Sequence, residues 1–189
     1  MKIFSPALSR LARFRYWHIE HWVNNPIAAQ REVLQDLITH GQYTQFGRKY
    51  QFANIFNIRT FKQTVPIHEY HDMKPYIDQV MEGEDSVLWN TPVKWFAKSS
   101  GTTSEKSKFI PLTEESIQDN HFQGSKDVLA LYYKAMPESD LLTGKGLIIG
   151  GSHQVHPIKE DIQYGDLSAV LLQNSPFWAG LIRTPELSI

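Results

Sequence analysis

Apolar side chains in the first part of the chain recur at spacings of three and four, the repeat that lines one face of a helix. From about Ser5 to Val23 the series is Leu8, Leu11, Phe14 or Arg15, His18, Ile19 and Trp22. It restarts after Asn25-Pro26 with Ile27, Arg31, Leu34, Leu37 and Ile38. Asparagine is a favoured N-cap and proline fits the first helical turn, so two helices are predicted to meet there. Gly41 is placed to end the second. Between Tyr43 and Thr64 the repeat breaks up, and Tyr43, Phe46, Tyr50, Phe52, Phe56 and Phe61 predict short helices or irregular chain around a buried aromatic set. Helical spacing returns over His68 to Glu82 through Tyr70, Met73, Ile77 and Val80 or Met81, with Pro75 set to kink the helix or delay its start.

The pattern then shortens. Ser86 to Trp89 and Val93 to Ala97 are expected as strands around an Asn90-Thr91-Pro92 turn, and Phe109 to Leu112 as a third. Thr113 can cap a helix whose first turn carries Glu114 and Glu115. That helix is predicted to end near Pro137, with Ile117, His121, Phe122, Ser125, Val128, Leu129 and Tyr132 on one face. Gly146-Leu147-Ile148-Ile149-Gly150-Gly151 is expected as a short buried strand leading into a small-residue turn at Ser152, and Asp166 as the cap of a last helix through Leu167, Val170, Leu171 and Leu172. The order predicts one partial α/β domain over 1–189, mainly helical over 1–85 and built as strand, loop, strand and helix over 86–189.

The stretch with the clearest chemistry is Trp95 to Thr113. Hydroxyls at Ser99, Ser100, Thr102, Thr103, Ser104 and Ser107, one glycine at Gly101, and lysines at 98, 106 and 108 lie between two apolar runs. Glycine lets backbone N–H groups close around an anion, hydroxyls add neutral donors, and lysine adds a compact charge, so such a loop can hold a polyphosphate. It is not the Walker A loop, because Lys106 follows Glu105 rather than a second glycine. By composition alone a polar hairpin loop between buried strands fits as well.

The order Ser-Ser-Gly-Thr-Thr-Ser-Glu-Lys-Ser-Lys-Phe-Ile-Pro-Leu-Thr over 99–113 resembles the phosphate-loop signature of the adenylate-forming superfamily that includes acyl-CoA synthetases and luciferase. Its late lysine followed by an apolar pair and proline is similar to the auxin-responsive Gretchen Hagen family of acyl-acid amido synthetases, particularly the bacterial branch. The likeness extends to Asn25-Pro26, Val65-Pro66-Ile67, Tyr76-Ile77, Gly83-Glu84, Leu88-Trp89, Lys94 to Lys98 and Thr143 to Gly146. It implies a fold in which amino-terminal helices pack on a mixed sheet, as an incomplete portion of an adenylate-forming enzyme's large domain. It also implies a two-step ligase reaction: ATP, with magnesium, activates a small carboxylic acid as an acyl-adenylate, which an amine or amino acid then attacks. Carried over by position, Ser99, Ser100, Gly101, Thr102 and Thr103 match the family's phosphate loop and Lys108 its basic residue, while Lys98 and Lys106 are expected in solvent. Ser104 departs from the pattern, since glycine is usual there, and serine is costly if that position needs positive φ. Family members are also much longer than 189 residues, so a fragment or truncated gene product is expected, without the adenine and ribose contacts, the magnesium carboxylate or the mobile carboxy-terminal domain. Two alternatives share the loop: a fragment of an AMP-forming acyl-CoA synthetase, and a non-catalytic nucleotide-binding or interaction module that self-associates through an exposed core face.

Composition narrows the partners. The 19 basic and 20 acidic side chains nearly balance, without the basic stripe expected of a nucleic-acid binder. There is no cysteine, which removes disulfide and thiol chemistry and suits the cytoplasm. No apolar run approaches the ~20 residues of a membrane span, and the basic amphipathic start is read as a packed first helix rather than a membrane anchor. His68 and His71 beside Asp72, and His153 with His156, lack a third ligand at recognisable spacing and are read as solvent-facing or locally bonded.

Overall fold

The computed structural model describes residues 4–99, 107–141, 144–147, 154–176, 179 and 183–184. Helices α1 (Phe4–Asn24) and α2 (Pro26–Gly41) meet at the expected junction. Asn25, however, makes no N-cap bond to α2; its side-chain amide and backbone N–H both donate back to the His21 carbonyl, each at 3.0 Å, and close the end of α1 instead.

Gly41 does not end α2 in the left-handed conformation, because it has another task. The turn into α3 (Gln45–Lys49) brings Gly47 so close that a Cβ there would lie 2.0 Å from the Gly41 carbonyl oxygen. Thr44, 1% exposed, fastens the corner: its hydroxyl donates to that oxygen at 2.7 Å and accepts the Gly47 N–H at 2.9 Å. The first two N–H groups of α3, from Gln45 and Phe46, bond to the carbonyls of Ser86 and Val87. Residues 86–89 are therefore a bent segment rather than the expected strand, since their carbonyls serve a helix end and Ser86 has positive φ.

Beyond a 3-10 turn at Phe52–Asn54, α4 (Ile58–Thr64) is capped by the Asn57 side chain, which accepts the Thr60 N–H at 2.9 Å. In the aromatic set Phe46 packs against Tyr50, Phe52, His68 and Tyr76, whereas Tyr43 and Phe56 are exposed. Helix α5 (Tyr70–Met81) starts two residues later than the apolar spacing suggests and contains Pro75. Its first turn is fixed by the Asp72 carboxylate, which accepts the Glu69 N–H at 2.9 Å.

Strands β1 (Trp95–Lys98), β2 (Phe109–Leu112), β4 (Val155–Lys159) and β5 (Ile162–Gly165) form a mixed sheet in the order β2-β1-β5-β4. β1 is antiparallel to β2 and parallel to β5, and β5 is antiparallel to β4. Alternate residues of a strand face opposite sides, so Phe96 enters one core and Ala97 the other. Phe96 packs with Ile77 and Val80 of α5, Val87 and Ile162. Ala97 packs with Leu112, Ile117 and Val170, the last on α7 (Leu167–Gln173). Asp166 sits at the N-cap of α7 without a side-chain bond. β3 (Gly146–Leu147) departs from expectation: it pairs in parallel with β6 (Arg183–Thr184), away from the main sheet, and its two residues are exposed. Ile148 to Ser152 lie outside the described residues.

The helix after β2 is capped by the Thr113 hydroxyl, which accepts the Ser116 N–H at 3.0 Å. It runs as a π-helical segment over Ser116–Phe122 and then as α6 (Gln123–Ala135). The wider turn adds residues per revolution and rotates everything after it. Ile117 stays buried as expected, but the buried positions beyond are Ala130 and Tyr133, while Val128 and Tyr132 of the expected face are exposed. α1 packs on α6. Arg15 donates to both oxygens of Asp127 at 2.5 and 3.0 Å and stacks on Trp22, and the Lys134 ammonium lies 4.6 Å from the Tyr16 ring centre.

Two outcomes follow for stability. Gly47→Ala should cost more than about 2 kcal/mol in urea unfolding, because its Cβ would meet backbone that cannot move aside. Arg15 lowers the pKa of Asp127, partly opposed by burial and helped by Gln123. A depressed carboxylate contributes stability that is present above its unfolded pKa, about 3.9, and lost as pH falls through the folded value. Stability of the α1 and α6 pair should therefore drop below about pH 4, and Asp127→Asn, with a neutral cost of about 1–2 kcal/mol at pH 7, should remove that acid sensitivity in a urea titration series.

Candidate functional site

β1 and β2 deliver Ser99 and Lys108 opposite each other, at the base of the small-residue loop. The Ser99 N–H donates to the Lys108 carbonyl at 2.9 Å, and the Lys108 N–H donates to Ser99 Oγ at 3.3 Å. The stem of the loop is thus closed one residue beyond the two strands. Ser100, Gly101, Thr102 and Thr103, with Ser104 and Lys106, lie outside the described residues, so of the six positions matched to a phosphate loop the structure places Ser99 and Lys108.

Of these two, Lys108 borders an open cleft of about 1000 Å³ between α5 and the stem. Its walls include Glu69, Tyr70, Lys74, Lys98, Lys108 and Phe109. Lys74 is committed to Asp78, with contacts of 2.6 and 2.7 Å, and that carboxylate raises the Lys74 pKa against a small opposing effect of burial. On the stem side the cations at the cleft are Lys98 and Lys108. Lys98, expected in solvent, is exposed but stands at this rim, with its ammonium 5.8 Å from the centre of the Tyr164 ring. The signal was its place as the last residue of β1, one step before the loop.

Tyr70 is the contributor that the sequence pattern hid. Spacing assigns it to the apolar face of α5, and its ring does pack against the cluster around Phe96. Its hydroxyl, however, accepts the Phe109 N–H at 2.9 Å and donates to the Phe109 carbonyl at 3.3 Å. The Lys108 ammonium sits 5.6 Å from the centre of the same ring, within cation–π range. No periodicity connects residues 39 positions apart.

The histidines do other work. His68 Nε2 meets the Tyr50 hydroxyl at 2.7 Å, and His71 lies at the surface between Glu69 and Asp72. His156 stacks near Tyr164, and His153 lies outside the described residues. Among the described residues no three His, Cys, Asp or Glu side chains are grouped to hold a metal ion, and no helix is long and apolar enough to cross a membrane.

A stem with a hydroxyl and an ammonium beside a closed backbone turn can orient donors towards an anion. Residues 15–188 match the family model described as the GH3 family N-terminal domain. Indole-3-acetic acid-amido synthetase GH3.2 of Arabidopsis thaliana is 30% identical over 135 residues, covering 68% of this chain and 23% of that protein. Jasmonoyl–L-amino acid synthetase JAR6 of Nicotiana attenuata is 27% identical over 149 residues, covering 78% and 25%. The solved structure of the AtGH3.15 acyl acid amido synthetase in complex with 2,4-DB superposes with a TM-score of 0.75 at 24% identity, over 86% of this chain and 28% of that one, and so shares its fold. The chain spans about a quarter of the length of these curated relatives.

For the stem itself, Ser99→Ala should cost less than about 1 kcal/mol, as expected of one long neutral hydrogen bond, while speeding hydrogen exchange at the Lys108 amide. Unchanged exchange there would show that the serine hydroxyl does not hold the turn.

Proposed function

The chain belongs to the GH3 family, and from this and the geometry of the loop stem we propose that it supplies the polyphosphate-binding part of an ATP-dependent acyl-acid amido synthetase. In the first step a carboxylate oxygen attacks the α-phosphorus of ATP, the bond to the pyrophosphate oxygen breaks, and an acyl-adenylate forms. In the second an amine nitrogen attacks the acyl carbon, the bond to AMP breaks, the nitrogen loses a proton, and an amide results. The names of the relatives describe such joining of an acid to an amino acid in those proteins.

The observation that carries the proposal is the closed stem, with Ser99 and Lys108 hydrogen-bonded across it and Lys108 at the edge of a cleft. Negative charge grows on the departing pyrophosphate during the first step. Donors that are already in place when it grows stabilise the transition state without reorganising. Ser99, Ser100, Gly101, Thr102 and Thr103 would offer backbone and hydroxyl donors to those oxygens, and Lys108 a charge. Magnesium would enter as the ATP complex, held chiefly by phosphate oxygens; among the described residues no cluster of His, Cys, Asp or Glu side chains is grouped to bind it.

Calorimetric titration of the 189-residue protein with magnesium ATP and with pyrophosphate tests the proposal. Binding should be measurable, and Lys108→Ala should weaken it by about 1.5–3 kcal/mol, the worth of a charge-assisted hydrogen bond. Combined alanine substitution of Ser99, Thr102 and Lys108 should abolish it. Equal affinity in the parent and the triple variant would sink the assignment.

A further inference from the structure

Tyr70 stands where three parts of the molecule meet. It is the first residue of α5, its ring packs on the core that holds Phe96, and its hydroxyl takes both backbone groups of Phe109. Those groups need a partner. The bond from Ser99 to Lys108 sets the antiparallel phase of the hairpin, so the N–H and C=O of Phe109, paired with Lys98, point away from β1. At the free side of β2 they would otherwise face solvent, and the strand end would be free to twist. A single hydroxyl, donor and acceptor at once, satisfies both.

The residue so fixed is the immediate neighbour of Lys108, and the Lys108 ammonium lies over the Tyr70 ring. Lysine is a flexible four-carbon stem with a strongly hydrated head, and much of its freedom is lost when it engages a fixed anion. A ring that holds the ammonium near its working place, together with a hydroxyl that holds the backbone beneath it, removes part of that loss in advance. We propose that Tyr70 is a positioning residue for the polyphosphate loop, setting the backbone and side chain of Lys108 without itself touching the phosphates. This rests on the polyphosphate role of the loop given above.

Two variants separate its contributions in the full chain. Tyr70→Phe keeps the ring and removes the hydroxyl; Tyr70→Leu removes both. Pyrophosphate affinity should fall roughly three- to tenfold in Tyr70→Phe, the effect of one net hydrogen bond, and further in Tyr70→Leu. Because Tyr70 acts through Lys108, adding Tyr70→Phe to Lys108→Ala should produce no further loss, whereas a merely structural role would lower affinity equally in both backgrounds. Hydrogen exchange at the Phe109 amide, measured without ligand, should accelerate in Tyr70→Phe. Unaltered affinity in Tyr70→Phe, or full additivity with Lys108→Ala, overturns the proposal. If the parent takes up no pyrophosphate, the assigned polyphosphate role fails and with it the positioning role for that ligand; accelerated Phe109 exchange would then identify Tyr70 as a brace of the hairpin alone.

Discussion

Phe96 and Ala97 are neighbours in sequence that enter different cores, and neither can shift without disturbing the other. On one side lie Ile77, Val80, Val87 and Ile162; on the other, Leu112, Ile117 and Val170. A strand buried on both faces and hydrogen-bonded on both edges has no soft direction. β1 is held by β2 on one side and β5 on the other, so its last residue leaves the sheet at a fixed point and heading. A loop rooted at such a point starts from a fixed base, and any drift at a base is shared by every group above it.

What could be read from the sequence divides along the same line. Short-range signals were legible: the apolar spacing of α1, α2 and α5, the Thr113 cap, and the apolar runs that flank the loop. The loop itself stood out through its composition and order, which single out Ser99 and Lys108 as candidates without any knowledge of the fold. The features that escaped depend on contacts between distant residues or on a change of helical pitch. Thr44 and Gly47 look unremarkable until α3 is seen turning back against the carbonyl of Gly41. Ser86 to Trp89 has strand-like content, but its carbonyls are taken by α3. The face of α6 was assigned with a period of 3.6, and a π-helical segment at its start displaced it.

Tyr70 shows why a site can be half legible. Its apolar role in α5 is written in the local pattern, and its polar role in the strand 39 residues away is not. One side chain answers to both and so joins the two elements. The aromatic ring ties the stem to the core, while the hydroxyl ties it to the helix start that Asp72 and Glu69 organise. Lys98 and Lys108 differ by the same criterion: both are cations beside a tyrosine, but at Lys108 that same tyrosine also bonds the backbone of the neighbouring residue.

The antiparallel phase that turns Phe109 outward also turns the nitrogen of Pro111 outward, since it is paired with Phe96 two residues further along. On the free side of β2, then, one N–H is occupied by Tyr70 and the next does not exist. An incoming peptide searching for a template would find no ladder to extend there, which is how natural sheets avoid edge-to-edge growth. At the opposite edge β4 carries Pro157 within its own short run. Extension of this rim of the hairpin by β-augmentation, whether with a partner or in an amyloid-like stack, is disfavoured by the covalent structure of the strand itself.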